Sequence, residues 1–301
     1  EYCGQKVQWI PATAQIPAHI AVSQNKAIDA LTEIKLEGHE QDATPLSPTR
    51  HTQFRSVLGQ INWLQSRTQF QAAYGFSRCA SAAANPTIKD LKELNKLVRM
   101  IKSRPVILKH FPLKGALRIV SYPDASYRNN TDKSSQRGMV TCIAEPRTSS
   151  ASSRGCVIAF ESHKIKRTTL STTVAELYAF MKAYGTAQFI RGLWMDISSQ
   201  IAELHMRTDA NNLVTTASTT HLPEQQETIH MIQMLRKESI SGQIDDLGHV
   251  RTADMLADCL TKASAKPDAL LQSVDTGVLP NVDASPSFRS LIKHKAYAVA
   301  F

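Results

Sequence analysis

The stretch LRIVSYPDAS, residues 117–126, is an apolar run that ends in a carboxylate. Its β-branched and aromatic residues predict a strand from Leu117 to Tyr122, and Asp124 follows where that strand ends. Two further runs of the same character, Gly138 to Ala144 and Cys156 to Phe160, predict strands that pair with the first as hairpins. An acid at the end of a core strand directs attention to the edge of a sheet, where α/β folds place their sites.

Helices and strands alternate in the next part of the chain. After a Ser-rich connection from Arg147 to Arg154, which we expect to be flexible, a long helix is predicted from about Thr172 to Ile197. The later predicted elements are a strand (Glu203 to Thr208), a helix after Asp209, a helix (Glu224 to Ser239), a strand (Ile244 to Val250) and a helix from Ala253. Hairpins followed by crossovers place parallel strands beside the first. The order predicts an α/β fold with a mixed five-stranded sheet flanked by helices.

The first third of the chain has helical periodicity instead. Apolar spacing predicts a helical run from Phe54 to Ala84 and a short helical piece from Ile28 to Ile34. Thr87 and Asp90 have capping-box spacing at the start of another helix. These patterns divide the chain into a mostly helical connecting region, residues 1–112, an α/β domain, residues 113–265, and a loosely attached tail, residues 266–301.

Basic residues outnumber acidic ones, and part of the excess lies on one predicted helix. The 301 residues carry a formal net charge of +9, which favours a polyanionic partner such as nucleic acid. Cations recur every three or four residues as a stripe on the helix after Thr87: Lys89, Lys92, Lys96, Arg99 and Lys102. A second group, Lys164, Lys166 and Arg167, precedes the long helix. We expect both groups to contact nucleic-acid phosphates, and the alternative is that they are solvated surface charges.

Other features argue against several classes of protein. The five cysteines are scattered without a C-x-x-C pair, and the histidines lack H-x-x-x-H spacing, which argues against a disulfide framework and a zinc site. No apolar run approaches the ~18 residues that would cross a bilayer. The first residues lack the basic-then-apolar order of a secretion signal. Because the chain opens on Glu rather than Met, we expect a piece of a longer protein.

Four carboxylates lie on different predicted elements. Asp124 and Asp209 end strands, Glu176 lies in the first turns of the long helix, and Asp258 lies on the last helix. Acids that a fold brings together repel one another unless a cation neutralises them, and a pair of divalent ions is a common reason for such a site. Taken singly, a strand-end Asp is usually a cap and a helical Glu a solvated charge. Asp254, one helical turn before Asp258, is the nearest rival for the fourth position.

Several strings occur in an order that is typical of one family. They are Asp124-Ala-Ser, Ser135-Gln-Arg-Gly, Lys164-Ile-Lys-Arg with Leu170-Ser-Thr-Thr, Ala175-Glu, Thr208-Asp and Leu256-Ala-Asp-Cys-Leu-Thr-Lys. Together they resemble the ribonuclease H domain of copia-type retrotransposon polyproteins. The segment from Phe54 to Leu64 resembles the connection between reverse transcriptase and that domain. The resemblance extends over roughly residues 50 to 265.

This resemblance implies a ribonuclease H-like fold and a metal-dependent endonuclease that cleaves the RNA strand of an RNA/DNA hybrid, which its 2′-hydroxyls distinguish from DNA. It implies that two Mg²⁺ or Mn²⁺ ions are bound by Asp124, Glu176, Asp209 and Asp258. It also implies that the upstream reverse transcriptase portion is a partner. The expected location is a cytoplasmic virus-like particle or the nucleus.

The chain departs from the family pattern at several positions. Pro123 precedes Asp124 where a small polar residue is usual, and proline removes a backbone donor from a central strand. Arg67-Thr-Gln-Phe replaces Arg-Pro-Asp-Ile, and no Tyr-x-Asp-Asp polymerase motif is present. Two alternatives therefore stay open. One is a ribonuclease H-like module that has lost its metal site and only binds nucleic acid. The other is an integrase-type nuclease with Glu238 as its helical acid.

Overall fold

The computed structural model describes residues 1–38, 40–146, 153–218 and 226–281, without the side chains of residues 226 and 227. The chain forms two compact units. The first contains Glu1–Lys109 with the short segment Glu161–His163, and the second contains His110–Phe160 and the chain from Lys164 onward. Most of the predicted connection between Arg147 and Arg154 lies outside the described residues.

The first unit opens with a hairpin that the sequence pattern did not predict. Strands β1 (Lys6–Ile10) and β2 (His19–Ser23) pair antiparallel, with Trp9 opposite Ile20. A third strand, β3 (Leu108–His110), completes a three-stranded sheet in the order β1-β2-β3. Because β1 buries none of its side chains, it lacks the alternation of apolar and polar residues that marks a half-buried strand.

The remaining elements of the first unit are helical. They are α1 (Asn25–Asp29), α2 (Pro48–Gln65), α3 (Ala73–Ser81) after a 3₁₀ turn (Phe70–Ala72), and α4 (Ile88–Ser103). The apolar stripe of α4, with Leu91 and Val98, lies in one buried cluster with Phe54 of α2. The predicted capping box is present, because the Thr87 N–H donates to Asp90 Oδ2 at 2.8 Å. Local helical periodicity therefore located α4, whereas the single run predicted from Phe54 to Ala84 is divided between α2, the 3₁₀ turn and α3.

The helical piece predicted from Ile28 to Ile34 is wrong beyond Asp29, where α1 ends. The side chain of Asn95, which is buried on α4, accepts a hydrogen bond from the Ile34 N–H at 2.9 Å and donates one to the Ile34 carbonyl at 2.8 Å. This contact satisfies both backbone groups of Ile34 without a helix. A tertiary hydrogen-bonding partner thus overrides a weak local preference.

A five-stranded mixed sheet forms the centre of the second unit. Its strands are β4 (Arg118–Ser126), β5 (Gln136–Ala144), β6 (Gly155–Lys164), β7 (Glu203–Thr208) and β8 (Asp246–His249). Their order is β6-β5-β4-β7-β8, with β4 antiparallel to β5 and parallel to β7, and β7 parallel to β8. The predicted α/β class and the mixed five-stranded sheet are confirmed.

Helices flank this sheet. They are α5 (Thr172–Ser198), α6 (Asn211–Ser218), α7 (Gln226–Ile240) and α8 (Asp268–Thr276). The long helix α5 begins after Ser171, whose hydroxyl accepts from the Val174 N–H at 3.3 Å, and it packs against β4 and β5. Its buried residues Leu177 and Phe180 share a core with Leu204 of β7. Across the described ranges, no helix has the length and apolar character needed to cross a bilayer.

The prediction of a last helix from Ala253 is wrong. The chain there forms two 3₁₀ turns, Thr252–Asp254 and Asp258–Leu260, so Asp258 begins a short turn rather than lying along an α-helix. Leu256 and Leu260 are buried in the second unit, and Leu260 lies against β5. Close packing against the sheet determines the path of this segment, and the short apolar repeat in the sequence does not distinguish the two kinds of helix.

The tail expected to be loosely attached is not loose over its first part. Helix α8 buries Leu270 and Val274, and the chain after it pairs with the start of β6. The Gly155 N–H donates to the Gly277 carbonyl at 2.8 Å. Residues 282–301 lie outside the described part. The correction arises because α8 is only two turns long, too short for periodicity to identify it reliably.

Pro123 lies within β4 without breaking it. It is opposite Met139 of β5, while the parallel register between β4 and β7 ends at Ser121. The strand has therefore left the β7 ladder before the residue that cannot donate a backbone hydrogen bond.

Candidate active site

The four predicted acids lie on elements that meet near one edge of the sheet. Asp124 is in the last part of β4, with only 1% of its surface exposed, and Asp209 directly follows β7. Because β4 and β7 are parallel, their carboxyl ends meet at the same edge. Glu176 is in the second turn of α5, which packs on β4, and Asp258 begins a 3₁₀ turn that contacts both β4 and β5.

Burial and the neighbouring acids raise the pKa of two of these carboxyl groups. Burial raises the pKa of Asp124 from its ordinary value to about 7, and the negative charges of Asp209 and Asp258 add to the increase. Burial also raises the pKa of Glu176 well above its usual range, with further contributions from Asp124 and Asp209. The charge of Asp209 thus contributes to the raised pKa of both Asp124 and Glu176, which is expected only if these groups lie near one another.

Hydrogen bonds hold two of these carboxylates in place. The Thr261 hydroxyl donates to Asp124 Oδ2, and the backbone of Ala125 donates to Glu176. The Ser126 hydroxyl in turn donates to the Thr261 carbonyl at 2.8 Å. Two side chains at the end of β4 therefore bind Thr261: Asp124 contacts its hydroxyl, and Ser126 contacts its backbone carbonyl.

A glycine allows that segment to approach. Gly138 of β5 lies opposite Asp124, and a Cβ placed on it would be 2.8 Å from Leu260 Cβ, 2.9 Å from Thr261 Cγ2 and 3.1 Å from the Ala257 carbonyl oxygen. No side chain fits at those distances without movement of its neighbours. The Ser135-Gln-Arg-Gly string noted in the sequence thus contributes a space for the segment that carries Asp258.

The rivals of the four acids have other partners. Asp254 forms an ion pair with Arg251 and is not among the charges that raise the pKa of Asp124 or Glu176. Glu238, the acid that an integrase-type nuclease requires, accepts a hydrogen bond from the Tyr184 hydroxyl at 2.7 Å. It is not among the main charges that raise the pKa of Asp124 or Glu176.

Sequence reasoning missed two groups at this edge. His249 is the last residue of β8, and its Nε2 lies 3.2 Å from the Asp209 carbonyl oxygen. Its place at the end of a predicted strand, like that of Asp209, was the available signal. Lys262 forms an ion pair with Asp258 and lowers the pKa of Asp124 and Glu176. The sequence offered it only as the last letter of a family string.

The acids offer the ligands that a divalent ion prefers. Mg²⁺ and Mn²⁺ bind carboxylate oxygen, and buried acids that repel one another leave negative charge for a cation to neutralise. Among the residues that the structure describes, no three His, Cys, Asp or Glu side chains converge closely enough to ligate one ion. The donor set therefore fits such ions by its chemistry, and ligation would require the side chains to close further.

The basic residues predicted to contact phosphate differ in their surroundings. On α4, Lys92 pairs with Asp42 at 2.7 Å, Arg99 pairs with Glu33, and Lys102 donates to the Leu31 carbonyl at 2.8 Å. Lys89 and Lys96 are exposed and form no ion pair with any described residue.

The second basic group, residues 164–167, also contains both paired and exposed cations. Lys164 pairs with Asp132, and the Arg167 guanidinium lies 5.7 Å from the centre of the Tyr178 ring. Lys166 is exposed. The phosphate-binding role of all eight residues stays a prediction.

No protein-family profile matches the chain, and no curated protein matches it. Among solved structures, ribonuclease H1 from the halophilic archaeon Halobacterium salinarum NRC-1 is 20% identical, with a TM-score of 0.34 over 51% of this chain and 97% of that one. LC11-RNase H1 in complex with an RNA/DNA hybrid is also 20% identical, with a TM-score of 0.35 over 51% and 99%. The foamy viral protease-reverse transcriptase in complex with dsDNA is 14% identical, with a TM-score of 0.40 over 75% and 41%. Because these scores are low, the fold assignment depends on the order and direction of the strands themselves.

Proposed function

We propose that the second unit is a ribonuclease H-type domain that cleaves the RNA strand of RNA/DNA hybrids with the help of divalent metal. One observation carries the proposal: Asp124 on β4, Asp209 after β7, Glu176 on α5 and Asp258 in its 3₁₀ turn lie near the carboxyl edge of a mixed sheet, where burial and the neighbouring acids raise the pKa of Asp124 and Glu176. Repulsion between acids destabilises the folded protein, and bound cations would neutralise these charges and so offset that cost.

In this proposal Asp124, Glu176, Asp209 and Asp258 hold two Mg²⁺ or Mn²⁺ ions. When bound, two such ions would activate a water and stabilise the leaving oxygen of a phosphodiester. The chain's own groups prepare the site: Thr261 orients Asp124, and the backbone of Ala125 orients Glu176. The His249 Nε2 lies against the Asp209 carbonyl oxygen and would hold the backbone of that acid in place.

The proposal extends to the rest of the chain. Lys89, Lys96 and Lys166 are the exposed cations that would contact the phosphates of the hybrid, and the paired residues of both basic groups would do so after exchanging partners. We further propose that residues 1–112 are a connecting region from the end of a reverse transcriptase, residues 113–265 the nuclease domain, and the whole a part of a copia-type polyprotein. The location would be a cytoplasmic virus-like particle or the nucleus.

A labelled RNA/DNA hybrid incubated with the purified chain tests this proposal directly. We expect cleavage of the RNA strand with Mg²⁺ or Mn²⁺, none with EDTA, and none for Asp124→Asn or Asp209→Asn. Asp254→Asn is the matched control, because it removes an acid from the same region that is paired with Arg251, and it should keep the activity. Full activity in both Asp124→Asn and Asp209→Asn would refute the assignment of these ligands.

A second candidate function is a module that binds the hybrid without cleaving it. The observation that favours it is the lack of convergence of three ligating side chains within the described residues. Hybrid affinity that falls steeply with salt, together with no cleavage in either metal, would support this alternative.

A further inference from the structure

Lys262 occupies a distinctive position in the group of acids. Its ammonium forms an ion pair with Asp258, and its side chain is 33% exposed. The carboxylates of Asp124 and Asp209 also face it closely enough to favour its charged form. Among the charges that act on Asp124 and on Glu176, it is the one cation common to both within the described part of the chain.

The charge balance at this edge is uneven. Four acids lie at this edge, and Lys262 pairs with one of them, Asp258, while its neighbour Thr261 binds another, Asp124. A buried carboxylate group without a neutralising charge is costly, so the removal of a nearby cation destabilises the folded protein. Lys262 therefore supplies part of the positive charge that the acids need in the absence of metal.

The backbone beneath Lys262 is anchored while its side chain is not. Thr261 is tied to Asp124 and Ser126, and the segment from Ala257 to Thr261 lies against Gly138. The four-carbon stem of lysine has several rotatable bonds, so the ammonium can leave Asp258 without movement of the chain. A cation that arrives at the acids would also repel it directly.

We propose that Lys262 is a positioning residue that acts as an internal counter-ion: it neutralises the acids in the metal-free protein and turns away when divalent cations bind. This inference rests on the proposed function, because it assumes that the acids bind metal. It implies that metal affinity is set by a competition between the ions and one ammonium of the chain. A simple solvated ion pair at this spacing would have little influence on either stability or affinity.

Two measurements on the full chain test the proposal, and neither depends on catalysis. The first is the midpoint of thermal unfolding in EDTA, and the second is the affinity for Mn²⁺ alone, followed by electron paramagnetic resonance. We expect Lys262→Met to lower the midpoint in EDTA by several degrees and to tighten Mn²⁺ binding by about tenfold, because the competing charge is gone. Lys262→Arg, which keeps the charge, should resemble the wild type in EDTA.

Two controls separate this effect from a general loss of stability. Lys266→Met removes an exposed lysine four residues away and should change neither measurement. Asp258→Asn added to Lys262→Met removes one acid together with its partner and should restore most of the midpoint in EDTA. If Lys262→Met proves unfolded in EDTA, folding on addition of Mn²⁺ would support the proposal equally.

The outcome that overturns the proposal is a Lys262→Met protein with the midpoint and the Mn²⁺ affinity of Lys266→Met. A wild type that binds no Mn²⁺ would overturn it as well. Failure of the proposed nuclease function has a different signature: Mn²⁺ binds and Lys262→Met tightens it, yet no hybrid is cleaved. Cleavage by the wild type with no effect at Lys262 would uphold the nuclease and reject the counter-ion.

Discussion

The basic stripe on α4 and the acidic edge of the second sheet each contain several charges of one sign, and those charges have different kinds of partner. Three of the five cations on α4 have partners from the segment between residues 29 and 42, on an exposed surface. The four acids share one ammonium, and Asp124 is almost fully buried. Exposed pairs of the first kind contribute about 0–1 kcal/mol each, whereas buried like charges are unstable by themselves.

This difference indicates which of the two regions has a physical reason to bind a ligand. The exposed cations of the stripe on α4 are solvated by water, so the folded protein is stable without a bound partner at that surface. Asp124 and Glu176, whose pKa is raised by burial and by neighbouring acids, destabilise the folded protein when they ionise, and that is the physical reason to propose cations at the edge. Substitutions at the two regions should therefore differ in the size and in the direction of their effects.

The largest effect is expected for Glu176→Gln. Loss of one carboxylate should reduce hybrid cleavage by roughly 10³-fold, since metal-assisted stabilisation of the transition state is worth several kcal/mol. The same substitution should raise the unfolding midpoint in EDTA at neutral pH, because burial disfavours the ionised form of Glu176 in the folded protein and glutamine cannot ionise. Calorimetry with a cleavage assay measures both. Asp196→Asn, on the exposed last part of the same helix, should alter neither. A lower midpoint for Glu176→Gln would contradict the repulsion described for the edge.

A smaller effect is expected for Gly138→Ala. The new methyl would be closer than 3 Å to Leu260 and Thr261, so the segment with Asp258 must shift. We expect a loss of about 1–3 kcal/mol in the free energy of unfolding and a parallel loss of cleavage. Gly192→Ala, in open space on α5, should instead stabilise by about 0.5–1 kcal/mol. Denaturant unfolding distinguishes the two, and equal effects at both positions would refute the close approach.

The third prediction concerns pH in the absence of metal. The folded protein keeps a proton on Asp124 up to a pKa of about 7, while the unfolded chain releases it near the ordinary value. The stability contributed by this group is therefore complete below about pH 4 and is lost as pH rises through about 7. Relative to Asp124→Asn, the wild type in EDTA should lose unfolding free energy between pH 5 and pH 8. Divalent cations should remove that loss, and a difference independent of pH would show that Asp124 ionises normally.

The smallest effects are expected on α4. Lys89→Ala with Lys96→Ala should reduce the salt dependence of hybrid binding by up to about one unit of slope for each phosphate that the variant no longer neutralises. Lys92→Ala with Arg99→Ala should reduce it less, because those cations already have acidic partners, and should change stability by no more than ~1 kcal/mol per pair. Binding titrations at several salt concentrations compare the two double variants. Identical slopes would mean that the intramolecular pairs do not matter for nucleic-acid binding.

Sequence reasoning located the regular elements of the second unit well. The strand from Glu203 to Thr208 was predicted with its observed bounds, and the long helix differs from α5 by one residue at its end. It did worse where burial is absent or where the chain is irregular. Strand β1 has no buried face to produce alternation, and the segment after Ala253 follows the surface of β5 rather than a helical repeat.

In the candidate site, too, some residues could be identified from the sequence and others only from the structure. The choice of Asp258 over Asp254 came from a family sequence motif, because helical periodicity does not distinguish two acids four residues apart. His249 was overlooked because a histidine at the end of a strand is common, and only its distance of 3.2 Å from the Asp209 carbonyl gives it a context. Lys262 had no assigned role until its ammonium was placed among the acids.

The linear order of residues was enough to establish the α/β class, the bounds of β7 and the long helix, because local periodicity records which face of each element is buried. The four acids came from the family strings, and their role as a site stays a prediction. The tertiary structure alone established that Gly138 leaves room for the turn at Asp258 and that Lys262 lies near several acids. Ionisation at the edge depends on burial and on distances between groups far apart in the chain. Neither quantity exists until the strands are ordered.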